Sequence, residues 1–375
     1  MTHAPVTPAP VTPAPNDATP HSDPLNSANR VAIFDGHNDT ILKLEIAARR
    51  GGQADFVKGA PKLDIDLPRA REAGFAGGLF AMYTPWRADD LDTAYDRDDP
   101  RHFSPIEQPQ ALAFTMALFA RMRRLAEAHG EALAICGSAS EARAAMAAGL
   151  IAMVPHIEGA ECIDADLAVL DVLHAAGLRS LGLVWSRPNT FGHGAPMDRQ
   201  PELEPGLGLT EAGRRLVARC EALGILVDLS HLTEAGFWDV AACAQKPLVA
   251  SHSNAHALSP NARNLTDRQL DAIAESGGLV GVNFHVAFLR PDCETVHDTP
   301  ISAILRHLDH LIGKLGEDGV ALGSDFDGCE LPSEIADVRG LTRLVAAMRQ
   351  AGYGEALIAK IARENWLAAL DKAAA

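Results

Sequence analysis

Eight short runs rich in β-branched and apolar residues, alternating from residue 31 onward with longer stretches of helical periodicity, limit this fold more than any other feature. They are VAIFD (31–35), GGLFAMY (77–83), LIAMVPHIE (150–158), SLGLVW (180–185), GILVDLSH (224–231), PLVASH (247–252), LVGVNFH (279–285) and VALGSDFDG (320–328). Between them stand segments such as QALAFTMALFARMRRLAEAHG, SEARAAMAAG, TEAGRRLVARCEALG and TPISAILRHLDHLIGKLG, several ending at the glycine that suits a helix C-terminus. Strand and helix in alternation read as βα units, because parallel strands need a crossover between them. Eight such units predict an α/β fold, a (β/α)8 TIM barrel, and 375 residues with 47% apolar content suffice for its core. An open doubly wound sheet is the alternative, but it concentrates ligands at one switch point. Here almost every run finishes in polar, chemically capable residues, as barrel strands do at the face that carries catalysis.

The flanking sequence narrows the function by exclusion. Residues 1–29 are Pro/Ala/Thr-rich, with the repeat APVTPAPVTPAP, and are expected to be a disordered tail, leaving 30–375 as one catalytic domain. A formal net charge of −16 without any basic run opposes nucleic acid and anionic membrane surfaces as partners. No run approaches the ~20 apolar residues of a membrane span, and the N-terminus lacks the basic start and apolar block of a secretory signal. A cytoplasmic location is therefore expected. The six scattered cysteines, with no Cys-x-x-Cys, are expected to be reduced and mostly buried. Neither Gly-x-Ser-x-Gly nor a Gly-x-x-x-x-Gly-Lys phosphate loop occurs.

Histidines and carboxylates at the ends of the runs suggest a metal site. His37 and Asp39 are two apart, so in extended backbone they face one side and can reach one cation. Alone, that pair reads more readily as a hydrogen-bonded surface turn. Glu158 at the end of the third run, His231 ending the fifth and His252 ending the sixth bring the set to five, all projected toward one mouth. A carboxylate has two oxygens, so Glu158 can bridge two ions, with His37 and Asp39 on one and His231 and His252 on the other. His156 is either a supporting neighbour of that set or a satisfied core imidazole. His285 ends the seventh run facing the mouth, and His193 and His256 lie in loops. The remaining histidines, His307 among them, read as surface or helix residues.

DGHND (35–39), HIEG (156–159), DLSH (228–231), SHSNAHALSPNARN (251–264) and GSDFDG (323–328), in this order, resemble the membrane (renal) dipeptidase family of the amidohydrolase superfamily, over about residues 31–370. The resemblance implies a (β/α)8 barrel with two zinc ions on His37, Asp39, Glu158, His231 and His252, bridged by Glu158. It also implies Asp325 as catalytic carboxylate, Arg263 as the grip on a substrate's terminal carboxylate, a dipeptide substrate and a homodimer. Where many members carry a carbonyl-polarising histidine after the fourth strand, this chain has Trp185, so either His193 substitutes or the metal alone polarises the carbonyl. The implied reaction is peptide hydrolysis through a metal-bridging hydroxide, with Asp325 passing the proton to the leaving amine. Arg263 would restrict substrates to dipeptides or similarly short amides. An amidohydrolase acting on N-acyl amino acids, lactams or other small amides fits the same residues, and a non-catalytic metal-binding barrel is the remaining alternative.

Overall fold

The computed structural model describes residues 30–52, 54–86, 100–201 and 206–375; the expected N-terminal tail lies outside them. The strands are β1 (Ile33–Asn38), β2 (Phe75–Tyr83), β3 (Leu133–Ile135), β4 (Ile151–Glu158), β5 (Ser180–Gly182), β6 (Leu226–Asp228), β7 (Val249–Ala250), β8 (Leu279–Val282) and β9 (Val320–Leu322). All pair in parallel, in the order β1-β2-β4-β5-β6-β7-β8-β9, with β3 a short addition to β4 outside that path. A bridge between Asn38 and Phe326 brings the ends together, with Asp39 N donating to Phe326 O at 2.8 Å and Asp325 N to His37 O at 3.0 Å. The result is the eight-stranded barrel that the alternation predicts.

The helices start where their sequences offer caps. Asp66, Ser138, Thr210, Thr233 and Thr266 each accept a hydrogen bond from the backbone N–H three residues on, satisfying a donor the first helical turn leaves open. At Thr266 the Gln269 side chain returns the contact as a capping box. Among the described residues no helix is long and apolar enough to cross a membrane. All six cysteines are free, and four are buried.

Several strands end earlier than the sequence suggests. The runs 180–185, 224–231, 247–252, 279–285 and 320–328 continue past their last strand residue, so Trp185, His231, His252, His285 and Asp325 stand on the loops just beyond the strands. Beyond two of these strand ends the backbone turns left-handed, at His231 (φ 71°) and Asp325 (φ 62°), so neither side chain is presented from extended strand. At β7 the chain leaves the wall and turns inward. A Cβ added to Gly36, Gly281 or Gly323 would lie 2.7, 2.0 and 2.0 Å from the Ser251 carbonyl oxygen, so glycines of the three strand segments that follow β7 round the barrel make room for that one backbone atom. The floor below is closed by the C-terminal helix Asn365–Ala374. Its Trp366 is fully buried among Phe34, Leu79, Val154, Leu226 and Leu279 and donates Nε1–H to Leu322 O at 2.7 Å.

Candidate metal centre

His37 and Asp39 arrive from β1, and Glu158 is the last residue of β4. His231 and His252 follow β6 and β7 by three and two residues, and all five are buried. Glu158 divides its two oxygens: Oε1 lies 2.8 Å from His231 Nε2 and 3.5 Å from His252 Nε2, while Oε2 lies 3.8 Å from His37 Nε2. His37 Nε2 is in turn 3.5 Å from Asp39 Oδ2. The His37 and His252 rings sit 3.9 Å apart, and the His231 and His252 Nε2 atoms approach to 3.0 Å.

These donors fit a cation better than they fit one another. Burial, with Arg263 and His37 adding, pushes His231 and His252 well below the ordinary histidine range, so both rings are neutral. Each ring carries its Nδ1 contact to a serine, His231 to Ser186 Oγ at 2.9 Å and His252 to Ser251 Oγ at 2.6 Å. With Nδ1 protonated, the two Nε2 atoms face each other as lone pairs. Both ring nitrogens of His37 and Asp39 Oδ1 are buried without a hydrogen bond, an arrangement costly for polar groups left to themselves. Burial opposes a charge on His37, but Glu158, Asp39 and Asp325 outweigh it and lift the imidazole to about 10. Burial raises Glu158 to about 8, with Asp39 adding and His37 opposing. When only protons are available the positive charge among these acids falls to His37 itself, and a bound cation would take over that part. His37, Glu158 and His252 form one grouping close enough to share an ion, and His37, Asp39 and Asp325 form another.

Around this set the other expected residues fall into place unequally. Asp325, half-buried, accepts from Asn283 Nδ2 at 2.9 Å, and burial with Asp39 nearby raises it to about 6 against the opposing pull of His37. The buried Arg263 reaches His252 O at 3.3 Å and Ser253 Oγ at 3.5 Å, its guanidinium 5.5 Å from the Phe288 ring. Trp185 lies beside the centre, 5.8 Å from the His231 ring, stacked on Phe103 at 5.6 Å and tilted against Tyr83 at 5.2 Å. His193 is turned elsewhere: its Nδ1 meets Gly208 O at 3.1 Å. His285 packs edge-on to Phe288 at 4.6 Å with Nδ1 toward Glu330 O. His156 is fully buried with Nδ1 on Ser180 Oγ at 2.9 Å, and His256 Nε2 meets Gln200 O. His307 is buried, not on the surface: Ala255 N–H donates to its Nδ1 and its Nε2 meets Leu289 O, so it ties its helix to the loop after β7.

Sequence reasoning missed a buried ion pair under the mouth. Arg187 Nε bonds Glu161 Oε1 at 2.6 Å, Nη1 bonds the Tyr83 hydroxyl at 3.0 Å and Nη2 bonds Thr84 O at 2.7 Å. The guanidinium also lies 5.0 Å from the Tyr83 ring and 5.2 Å from the Trp185 ring. The only signal in the sequence is an arginine and a glutamate within otherwise apolar strand-end segments.

A family model described as membrane dipeptidase, peptidase family M19, matches residues 26–375. The chain belongs to this family. It is similar to a metallopeptidase from Rhodobacter sphaeroides liganded with a phosphinate mimic of the dipeptide L-Ala-D-Ala, with 46% identity over 92% of this chain and 100% of that one and a TM-score of 0.85. A second M19 metallopeptidase structure, the dipeptidase AC, agrees with 46% identity, 92% and 99% coverage and a TM-score of 0.84. A Klebsiella pneumoniae chain described as an uncharacterized protein in the pqqA 5' region is 48% identical over 64% of this chain and 88% of its own length. Family membership and the barrel together make this protein a metal-dependent hydrolase with the amidohydrolase-like fold.

Proposed function

We propose that the protein is a zinc dipeptidase that hydrolyses the peptide bond of a dipeptide at a two-ion centre. The observation that carries this reading is the division of Glu158, whose one oxygen faces His231 and His252 and whose other faces His37. His37 and Asp39 would hold one ion, His231 and His252 the other, and Glu158 would touch both. Two such ions, when bound, supply polarisation of the scissile carbonyl and acidification of water. The chain's own residues do the rest. Asp325, fixed by Asn283, takes a proton during attack and returns it to the departing amine. Arg263, anchored on the backbone beside His252, binds the terminal carboxylate two-pronged and so limits the substrate to one residue beyond the scissile bond. Trp185 and Phe103 wall the mouth and exclude water from the reacting carbonyl. His193 has its ring on Gly208 O, so it does not stand in for the histidine that Trp185 replaces.

Support for a dipeptide comes from the Rhodobacter metallopeptidase and the L-Ala-D-Ala mimic that it carries. The test is metal analysis of purified protein coupled to hydrolysis of L-Ala-D-Ala with and without a chelator. Two zinc ions per chain, with activity lost on chelation and restored by zinc, are expected; fewer than two in the active, metal-replete enzyme would overturn the two-ion centre. Hydrolysis of N-acetylated dipeptides as fast as free ones would move the substrate class to N-acyl amino acids or other small amides.

A further inference from the structure

We propose that Asp228, which touches no metal ligand, is a positioning residue for the centre: through Ser251 it locks His252 in the tautomer that presents Nε2 as a lone pair to a cation. The inference rests on the two-ion reading above and extends it to a residue behind the ligands.

The argument is a count of protons. Asp228 is buried at the end of β6, and each of its hydrogen-bond partners is an N–H or O–H that donates to it, so it acts here as an acceptor alone. Its Oδ1 takes the backbone N–H groups of Ser230 at 3.0 Å and Ser251 at 2.7 Å, and its Oδ2 takes the Ser251 hydroxyl at 2.5 Å. A serine hydroxyl has one proton, and here Asp228 has it. Ser251 Oγ can therefore only accept from its next partner, His252 Nδ1, at 2.6 Å. That nitrogen must carry the proton, and Nε2, the atom aimed at Glu158 and His231, must not. The other polar neighbours leave this direction unchanged. Ser230 Oγ is 3.4 Å from Ser251 Oγ, much farther than the carboxylate, and it accepts from His252 N–H at 3.1 Å. His156 Nε2, at 3.7 Å from Asp228 Oδ2, is beyond hydrogen-bond reach.

The backbone reinforces the relay. The Ser251 carbonyl sits where Gly36, Gly281 and Gly323 have no Cβ, and Ser253 N–H donates to Gly281 O at 2.8 Å, so the backbone of residue 251, from which the hydroxyl projects, is held in place by the next strands round the barrel. A neutral imidazole has two tautomers of similar energy in water, and only one can ligate through Nε2. Fixing the tautomer in advance removes the need to shift a proton when the ion arrives, and such supporting contacts typically change metal affinity about 10–100-fold.

Asp228→Asn reverses the relay while keeping its shape. The amide oxygen can still accept both backbone N–H groups, but its NH2 donates toward Ser251 Oγ, which frees the hydroxyl proton to point at His252 Nδ1 and favours the wrong tautomer. Ser251→Ala removes the relay and leaves both backbone bonds to Asp228 intact. Two readouts on the full chain are decisive: the His252 tautomer in metal-free, 15N-histidine-labelled protein by NMR, assigned by loss of its signals in His252→Gln, and zinc affinity by competition with a chromophoric chelator. The wild type is expected to show His252 protonated on Nδ1. Both variants are expected to lose that preference and to bind zinc about 10–100-fold more weakly, with far-UV circular dichroism unchanged. Should Asp228→Asn fail to fold, Ser251→Ala decides alone. A wild-type His252 protonated on Nε2, or wild-type zinc affinity in a folded variant, overturns the relay. A wild type that binds no zinc overturns the proposed function instead.

Discussion

Glu161→Gln should destabilise this protein far more than an ordinary exposed ion pair would suggest. The side chains of Arg187 and Glu161 are 0% and 1% exposed, so no solvent screens the pair. Glutamine keeps an acceptor for Arg187 Nε but removes the carboxylate bonded to that guanidinium, whose other partners among the described residues, the Tyr83 hydroxyl and Thr84 O, are neutral. Removing one member of a buried pair generally costs about 3–5 kcal/mol, and the hydrogen bond that glutamine retains places the expectation near the lower figure, about 3 kcal/mol. The double variant Glu161→Leu with Arg187→Met takes both charges out at similar volume and should recover most of that loss, since a well-packed apolar pair often matches the ion pair that it replaces. Urea unfolding of the chelated protein, followed by far-UV circular dichroism, measures both. A single variant within about 1 kcal/mol of wild type, or a double variant less stable than Glu161→Gln, would refute the account of an unscreened charge held by one partner. Because Arg187 underlies the rings of Tyr83 and Trp185, the single variant should also raise KM for dipeptides.

Asp325→Asn should lower kcat by about 10²–10⁴ with zinc content unchanged, checked by steady-state kinetics beside metal analysis. In the wild type the active form of Asp325 is the carboxylate, and burial raises its pKa to about 6. That value belongs to the protein without a bound cation, and a cation beside Asp325 would favour the carboxylate and lower it, so activity should be full at neutral pH and fall at or below about 6; a kcat/KM that rises as pH drops from 8 to 5 would contradict the assignment. Gly328→Ala should deplete the centre: the added Cβ would lie 2.2 Å from Asp39 Oδ2 and 2.4 Å from Asp325 Oδ1, so one carboxylate must move. Lower zinc occupancy with little change in melting temperature is the expected result.

The fold was legible because each barrel strand is an apolar run and each crossover carries its own helical period. β3 was not, since LAI (133–135) is three residues following directly on a helical pattern and pairs only with β4. The grouping of His37, Asp39, Glu158, His231 and His252 could be foreseen because a barrel projects strand ends to one face, which turns a position in sequence into a place in space. Strand length was overestimated because pairing stops at Asp228 and Leu322 while the sequence stays apolar or extended in character for a few residues more, before the left-handed positions His231 and Asp325. Arg187, Glu161 and Tyr83 come from three separate segments, and Asp228 and Ser251 from two. What joins them is hydrogen bonding between neighbouring strand ends, which leaves no periodicity to read.

The glycines facing Ser251 have a consequence for anyone who would transplant this centre. Copying His37, Asp39, Glu158, His231 and His252 onto another eight-stranded scaffold would leave out Gly36, Gly281 and Gly323, which touch neither ion nor substrate. With alanine at any of the three, the strand carrying His252 could no longer bend into the lumen, and the graft would present four ligands in register and a fifth displaced.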